Sequence, residues 1–198
     1  MVSNDVLRRN ARAQLGNDIF GKRWLMMMAI CLVGGALIGA VGGFGVGFLV
    51  TGSIYYGLAR VSVNCARGKA WTFEQIFDGF KEDYGKTLLV GLLQSLFTIL
   101  WSLLFIVPGI VKSYSYAMAS YIQQDEPQLS ATECIEKSRR MMDGYKWQLF
   151  CLDWSFFGWY LLGALCFGIG TIFVDPYRQT AYANFYLALK AEKQAQGE

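Results

Sequence analysis

Residues 24–59 read WLMMMAICLVGGALIGAVGGFGVGFLVTGSIYYGLA, an unbroken stretch from Trp24 to Ala59 without a charged side chain. An apolar run of ~20 residues crosses the hydrocarbon core of a bilayer, so this one is long enough to cross twice. Two further apolar stretches follow, Thr87–Ile122 and Trp147–Leu189, interrupted only by Lys112, Asp153, Asp175 and Arg178. The pattern predicts an all-α fold: a polytopic membrane helix bundle of about six transmembrane helices in three hairpins.

Composition points the same way. Apolar residues make up 54% of the chain, charged residues 17%, and the mean hydropathy is +0.30, which leaves too little charged surface to wrap a globular core of this length. The net charge of +3 is small and broken up by apolar runs, which argues against nucleic acid as a partner. There is no histidine, the commonest metal ligand and general base. The five cysteines, Cys31, Cys65, Cys134, Cys151 and Cys166, show no Cys-x-x-Cys spacing. No cofactor, metal or disulfide framework is expected. Arg8, Arg9 and Arg12 ahead of an apolar run resemble a signal peptide, but that run is too long, and it reads as a retained first span.

The distribution of charge predicts the topology. Sixteen of the eighteen basic residues fall in segments 1–23, 60–86, 123–146 and 190–198. If each apolar run is a hairpin, all of these lie on one side of the membrane. The opposite side then consists of short turns around Gly42–Gly47, Pro108-Gly109 and Gly168–Gly170. Lysine and arginine mark cytoplasmic loops, so both termini are expected in the cytoplasm and the chain in a bacterial plasma membrane.

Within a single membrane domain spanning 1–198, three repeats (1–67, 68–124, 125–198) are suggested. Gly21-Lys22, Gly85-Lys86 and Gly144-Tyr-Lys146 each precede an apolar run, and Lys112-Ser-Tyr-Ser-Tyr116 can be laid on Arg178-Gln-Thr-Ala-Tyr182. An amphipathic helix on the cytoplasmic side precedes each hairpin. Thr72-x-x-Gln75 and Ser130-x-x-Glu133 both have capping-box spacing, ahead of Phe73, Ile76, Phe77 and Phe80 in one case and Ala131, Cys134, Ile135, Ser138 and Met142 in the other. The first helix sets Leu7, Ala11 and Leu15 against its arginines. Such helices lie in the headgroup layer near anionic lipid, or dock on the bundle, or bind a membrane protein partner. The expected partners are thus the lipid bilayer, anionic headgroups or another membrane protein, and an oligomer is compatible with the sequence.

Two sets of residues are candidates for a role. Gly35 and Gly39 have the Gly-x-x-x-Gly spacing that lets two helices approach backbone to backbone. Charge at membrane depth costs a few kcal/mol, roughly 2.5–3.5 at the centre, and marks function by default. Asp153 lies about 10 Å along its helix from Lys146 and should face the bundle. Asp175 and Arg178 are spaced to pair with each other, around a Pro176 whose freed carbonyls call for a covered or wet face. Lys112 and Arg178 could form a basic ring at the outer mouth. The plainer reading is a buried ion pair and a lysine reaching to the interface. Gly16-x4-Gly21-Lys22 has phosphate-loop spacing, but Arg23 stands where that motif needs Ser or Thr and no strand precedes it.

Leu103-Leu-Phe-Ile-Val-Pro-Gly-Ile-Val-Lys112, Ser130-Ala-Thr-Glu-Cys-Ile-Glu-Lys-Ser-Arg-Arg-Met-Met-Asp-Gly-Tyr-Lys-Trp-Gln-Leu-Phe150, Ser155-Phe-Phe-Gly-Trp159 and Pro176-Tyr177 resemble the bacterial integral-membrane family catalogued as domain of unknown function 975. Asn10-Ala-Arg-Ala-Gln-Leu-Gly16 is similar too; the glycine-dense stretch 34–57 is not. The resemblance implies a multi-pass plasma-membrane protein and carries no reaction or catalytic residues. A more remote similarity in layout is to the membrane part of some glycerophosphodiester phosphodiesterases, whose catalytic half has no counterpart here. With no nucleophile–base pair or metal cluster in view, no enzymatic activity is expected. The sequence favours a non-enzymatic membrane scaffold or accessory protein. A small-solute or ion transporter or channel, with Lys112, Asp153, Asp175 and Arg178 along the path, is the alternative.

Overall fold

The fold is all-helical. In a computed structural model, residues 2–16, 21–42, 47–81, 84–104, 106–165 and 169–195 are described, and no strand occurs among them. The helices are α1 (Asn4–Leu15), α2 (Lys22–Gly42), α3 (Gly47–Ala66), a 3-10 turn (Phe73–Phe77) running into α4 (Asp78–Lys81), α5 (Tyr84–Leu104), α6 (Ile106–Tyr116), α7 (Ala119–Asp125), α8 (Ala131–Met141), α9 (Lys146–Leu165) and α10 (Ile169–Ala195). The apolar runs become three pairs of adjacent helices, α2 with α3, α5 with α6, and α9 with α10. Among the described residues, two helices are long and apolar enough to cross a membrane, over Lys22–Gly39 and Tyr84–Trp101. The helix α6 has 11 residues, and α9 and α10 carry Asp153, Asp175 and Arg178.

One expected turn is displaced, and the turn expected around Gly168–Gly170 lies partly outside the described residues. Pro108 and Gly109 sit inside α6, in its first turn, where the N–H that proline lacks would have had no intrahelical acceptor. Gly170 likewise belongs to the first turn of α10, its backbone against Gly163 of α9; a Cβ there would come within 2.5 Å of the Gly163 Cα. The turn expected around Gly42–Gly47 lies mostly outside the described residues, as do Cys166 and most of the Gly16–Lys22 spacing.

The short helices gather at one end of the bundle and dock on it with their apolar faces. Leu7, Ala11 and Leu15 of α1 are all at most 1% exposed. Gln14 exchanges two hydrogen bonds with Asn184 of α10 (3.0 and 2.7 Å) and donates to the Ala66 carbonyl at the end of α3 (2.8 Å). Gly16 then ends the helix with φ 101°, a left-handed conformation that glycine adopts at no steric cost. In α8 the Ser130–Glu133 capping box is formed, and Ala131, Cys134, Ile135, Ser138 and Met141 are buried in the same core as Leu149, Phe156 and Phe185. Ser138 donates to the Ser115 carbonyl at 2.8 Å. These faces are therefore covered by protein, which corrects the placement of α1 and α8 in a headgroup layer. The core is densest at this end.

The segment after α3 behaves differently. The Thr72 side chain makes no capping bond; Gln75, which would complete that box, instead accepts from Asn64 at 3.3 Å, and the chain enters a 3-10 turn. Of its apolar residues Ile76 is buried, against Gly57 of α3, while Phe73, Phe77 and Phe80 stay exposed in a ladder of ring contacts that continues to Tyr84.

An ion cluster ties this end together. Asp125, at the end of α7, accepts through Oδ2 from Arg67 beyond α3 (2.7 Å) and from Lys190 (2.6 Å) and Tyr186 (3.0 Å) of α10. Gln123 donates to Thr87 of α5 at 2.9 Å, with both residues buried. Burial pulls the Asp125 carboxyl upward, but the Arg67 and Lys190 hydrogen bonds and charges outweigh it and hold the group below the ordinary aspartate range.

Candidate functional site

Helices α3, α5, α6, α9 and α10 pack in a closed ring: α3 on α5, α5 on α6, α6 on α9, α9 on α10 and α10 on α3. Inside lies a cavity of about 820 Å³, a size that suits a small molecule. Its lining is more polar than the helices that make it. The wall from α5 is Gly91, Gln94, Ser95, Thr98 and Ile99, the first four at i, i+3, i+4 and i+7 on one helical face, with Ile38 of α2 beside it. From α3 come Thr51, Gly52, Tyr55 and Ala59, and from α6 and α7 Ser113, Tyr114, Ala117, Ser120 and Tyr121. Asp153 of α9 and Arg178, Gln179 and Tyr182 of α10 complete it. Among the described residues the side chains of Gln94, Ser95, Ser120 and Gln179 make no hydrogen bond, so the polar ends around this space are available to water or a ligand.

The charged centre of the site is Asp153. Its Oδ1 accepts from Arg178 Nε at 3.0 Å, and its Oδ2 accepts from Tyr114 at 3.0 Å and from Tyr182. The Arg178 guanidinium also lies over the Tyr182 ring, 5.1 Å from its centre. Three helices thus meet on one carboxylate: α6 through Tyr114, α9 through Asp153 and α10 through Arg178 and Tyr182. Asp153 and Arg178 also wall a smaller cavity of about 240 Å³, lined by Phe150, Trp154, Phe157 and Tyr160. Trp154 and Phe157 are exposed, so this second cavity opens on the aromatic face of α9.

The other candidate residues are placed elsewhere. Arg178 pairs with Asp153 rather than with its helix neighbour Asp175, which accepts from Tyr160. The i, i+3 spacing only allowed the nearer pair. Lys112 does not join Arg178 in a ring; its ammonium lies over the Trp101 ring, 4.7 Å from the centre, and it takes no part in the cavity lining. At Gly35 and Gly39 an added Cβ would meet nothing within 4 Å, so among the described residues no helix packs closely there. The close approaches are at Gly52 against Gly91, where a Cβ would fall 3.1 Å from the facing Cα, and at Gly57, where it would fall 2.1 Å from the Ile76 carbonyl oxygen. Pro176 is buried, and the Trp24 indole donates to the nearby Phe173 carbonyl at 3.2 Å. Protein thus covers the backbone that the proline disturbs.

Sequence reasoning passed over Tyr114, Tyr182 and the α5 stripe. The stripe had a signal: small and polar residues at helical spacing inside an apolar run are the inverse of a surface helix. The tyrosines had none, because nothing local pairs Tyr114 with a carboxylate 39 positions away.

No curated protein and no solved structure matches the chain. A family profile does match, at residues 103–193, from the last turn of α5 into α10. That span holds Lys112, Tyr114, Asp153, Asp175, Arg178 and Tyr182, whereas α1 to α4 precede it. Over residues 103–193 the chain is similar to the family described as Protein of unknown function (DUF975).

Proposed function

We propose that this chain is a multi-pass membrane protein that binds a small polar solute in its central cavity and passes it across the bilayer. The carrying observation is the cavity lined by polar side chains among helices whose outer faces are apolar. Exposed Trp147, Trp154, Phe157, Leu161, Leu162 and Leu165 run along α9 for about 27 Å, close to the thickness of a hydrocarbon core. Leu96 and Leu100 are exposed on α5, on the side of that helix turned away from the cavity wall. Bands of this kind on a monomer mark a lipid or protein contact. The three helix pairs are read as six crossings, with α6 and α7 together forming the fourth. The positive end, where the termini and short helices gather, is read as cytoplasmic in a bacterial plasma membrane. No reaction is proposed.

The scaffold reading keeps one specific support, the exposed Phe73–Phe77–Phe80–Tyr84 ladder at the positive end, which suits a headgroup layer or a membrane partner. The docked α1 and α8 offer that reading nothing, which is why transport comes first.

The test is uptake by proteoliposomes of a panel of labelled solutes comprising a sugar alcohol, an amino acid, a monocarboxylate and a phosphate ester. The account expects uptake of at least one. The charge-neutral double variant Asp153→Asn with Arg178→Gln should abolish it while remaining folded and monodisperse. No uptake above empty liposomes, or uptake untouched by the double variant, contradicts the proposal.

A further inference from the structure

The geometry points to an oxyanion, a carboxylate or phosphate group, as the part of the ligand that Arg178 binds; this rests on reading the cavity as a solute site. Arg178 and Asp153 are the two ionisable side chains of opposite charge that line it, and they are not equally occupied. Asp153 already accepts three hydrogen bonds, from Arg178, Tyr114 and Tyr182. A ligand ammonium would find one acceptor position left, on Oδ1, beside a guanidinium whose charge repels it. Arg178 is engaged by a carboxylate through Nε and lies against the Tyr160 and Tyr182 hydroxyls, and among the described residues no carboxylate or carbonyl accepts from its two terminal amino groups. Those groups form the edge of the planar fork that grips a carboxylate or phosphate with two parallel bonds.

The contact with Asp153 fixes the fork's Nε edge and supports its charge while the cavity is empty. The remaining lining near the fork, Gln179, Ser120 and Tyr121, offers neutral hydrogen-bonding groups for the rest of the ligand. Among the described residues no second carboxylate lines the cavity to receive a cation. Because Arg178 borders both cavities, the oxyanion has two sources: a soluble anion in the larger cavity, or an anionic lipid headgroup entering the smaller one from the aromatic face of α9.

Thermal unfolding of the purified full chain in neutral detergent, at constant ionic strength, separates these cases. The probes are benzoate, inorganic phosphate, tetramethylammonium, mannitol, and phosphatidylglycerol against phosphatidylcholine. Benzoate or phosphate should raise the midpoint saturably, and tetramethylammonium and mannitol should not. Arg178→Lys keeps the charge but loses the fork, so it should weaken the response at least tenfold. Asp153→Asn can still accept from Nε, so it should retain anion binding, whereas a cation site would lose its ligand.

Stabilisation by phosphatidylglycerol alone, lost in Arg178→Lys, supports the oxyanion and assigns it to lipid, and solute transport then falls. Stabilisation by tetramethylammonium or mannitol without the anions overturns the inference and leaves the solute cavity standing. Equal anion binding in Arg178→Lys, or no response to any probe, overturns it as well; the uptake assay then decides whether the cavity reading survives.

Discussion

Asp125 and Asp153 are both carboxylates held by arginine and tyrosine between helices, yet their surroundings differ in what is left over. Asp125 has two cations and a tyrosine on one oxygen, and its side chain is 6% exposed. Asp153 has one cation, its side chain is 20% exposed, and the pair borders open space. A buried carboxylate held by two cations has mechanical work to do: it joins the ends of α3, α7 and α10. A cluster that leaves a guanidinium edge facing a cavity has capacity to bind. The lesson is to judge a charge between helices by the space it borders rather than by its presence.

Breaking the first cluster should have the largest effect. Asp125→Ala leaves Arg67 and Lys190 without their acceptor and should cost about 3 kcal/mol, the lower end for a buried pair because both cations are partly exposed. It would be read as a drop in the thermal midpoint and in folded yield. The same cluster should make stability fall in acid. The Asp125 carboxyl is depressed on folding, so the folded chain binds fewer protons than the unfolded one near this pH. Its stabilisation is complete above the ordinary aspartate range and is lost as pH falls through the lowered value. In Asp125→Asn that acid limb should flatten, and an unchanged limb would assign the acid sensitivity to other groups.

Next in size is Gly57→Ala, whose Cβ would strike the Ile76 carbonyl and should cost about 2 kcal/mol. Gly35→Ala and Gly39→Ala meet open space and should change stability by less than about 1 kcal/mol, in the stabilising direction. Ser130→Ala removes a formed capping box, for about 1 kcal/mol, while Thr72→Ala should cost nothing measurable. The smallest effect on stability sharpens the opening contrast. Replacing both members of the second pair, as Asp153→Asn with Arg178→Gln, leaves no uncompensated charge and should cost under about 1 kcal/mol, yet remove solute uptake. A loss as large as that of Asp125→Ala would make the second pair as mechanical as the first.

How much was legible follows from the range of each signal. The stretch from Trp24 to Ala59 announced a helix pair because hydropathy is local, and the same holds for the other two runs. Asp153 stood out as a charge in an apolar segment, but its partners did not. Arg178 and Tyr114 reach it only once α6, α9 and α10 are side by side. The glycine spacing at 35 and 39 showed a capacity for close packing and not where it is used; Gly52 and Gly91, on different helices, carry no joint pattern. The two capping-box spacings were indistinguishable as text. One forms because an 11-residue helix follows it, and the other fails because Asn64 takes the side chain it needs.

The central claim, water inside a ring of helices in a membrane, is tested most directly by thiol labelling in native membranes. In a variant with all native cysteines replaced, single cysteines at Ser95 and Gln179 are compared with Leu96 and Leu161. The account predicts that a small charged maleimide modifies Ser95→Cys and Gln179→Cys and spares Leu96→Cys and Leu161→Cys. Protection of the first two positions to the same degree as the last two would contradict it.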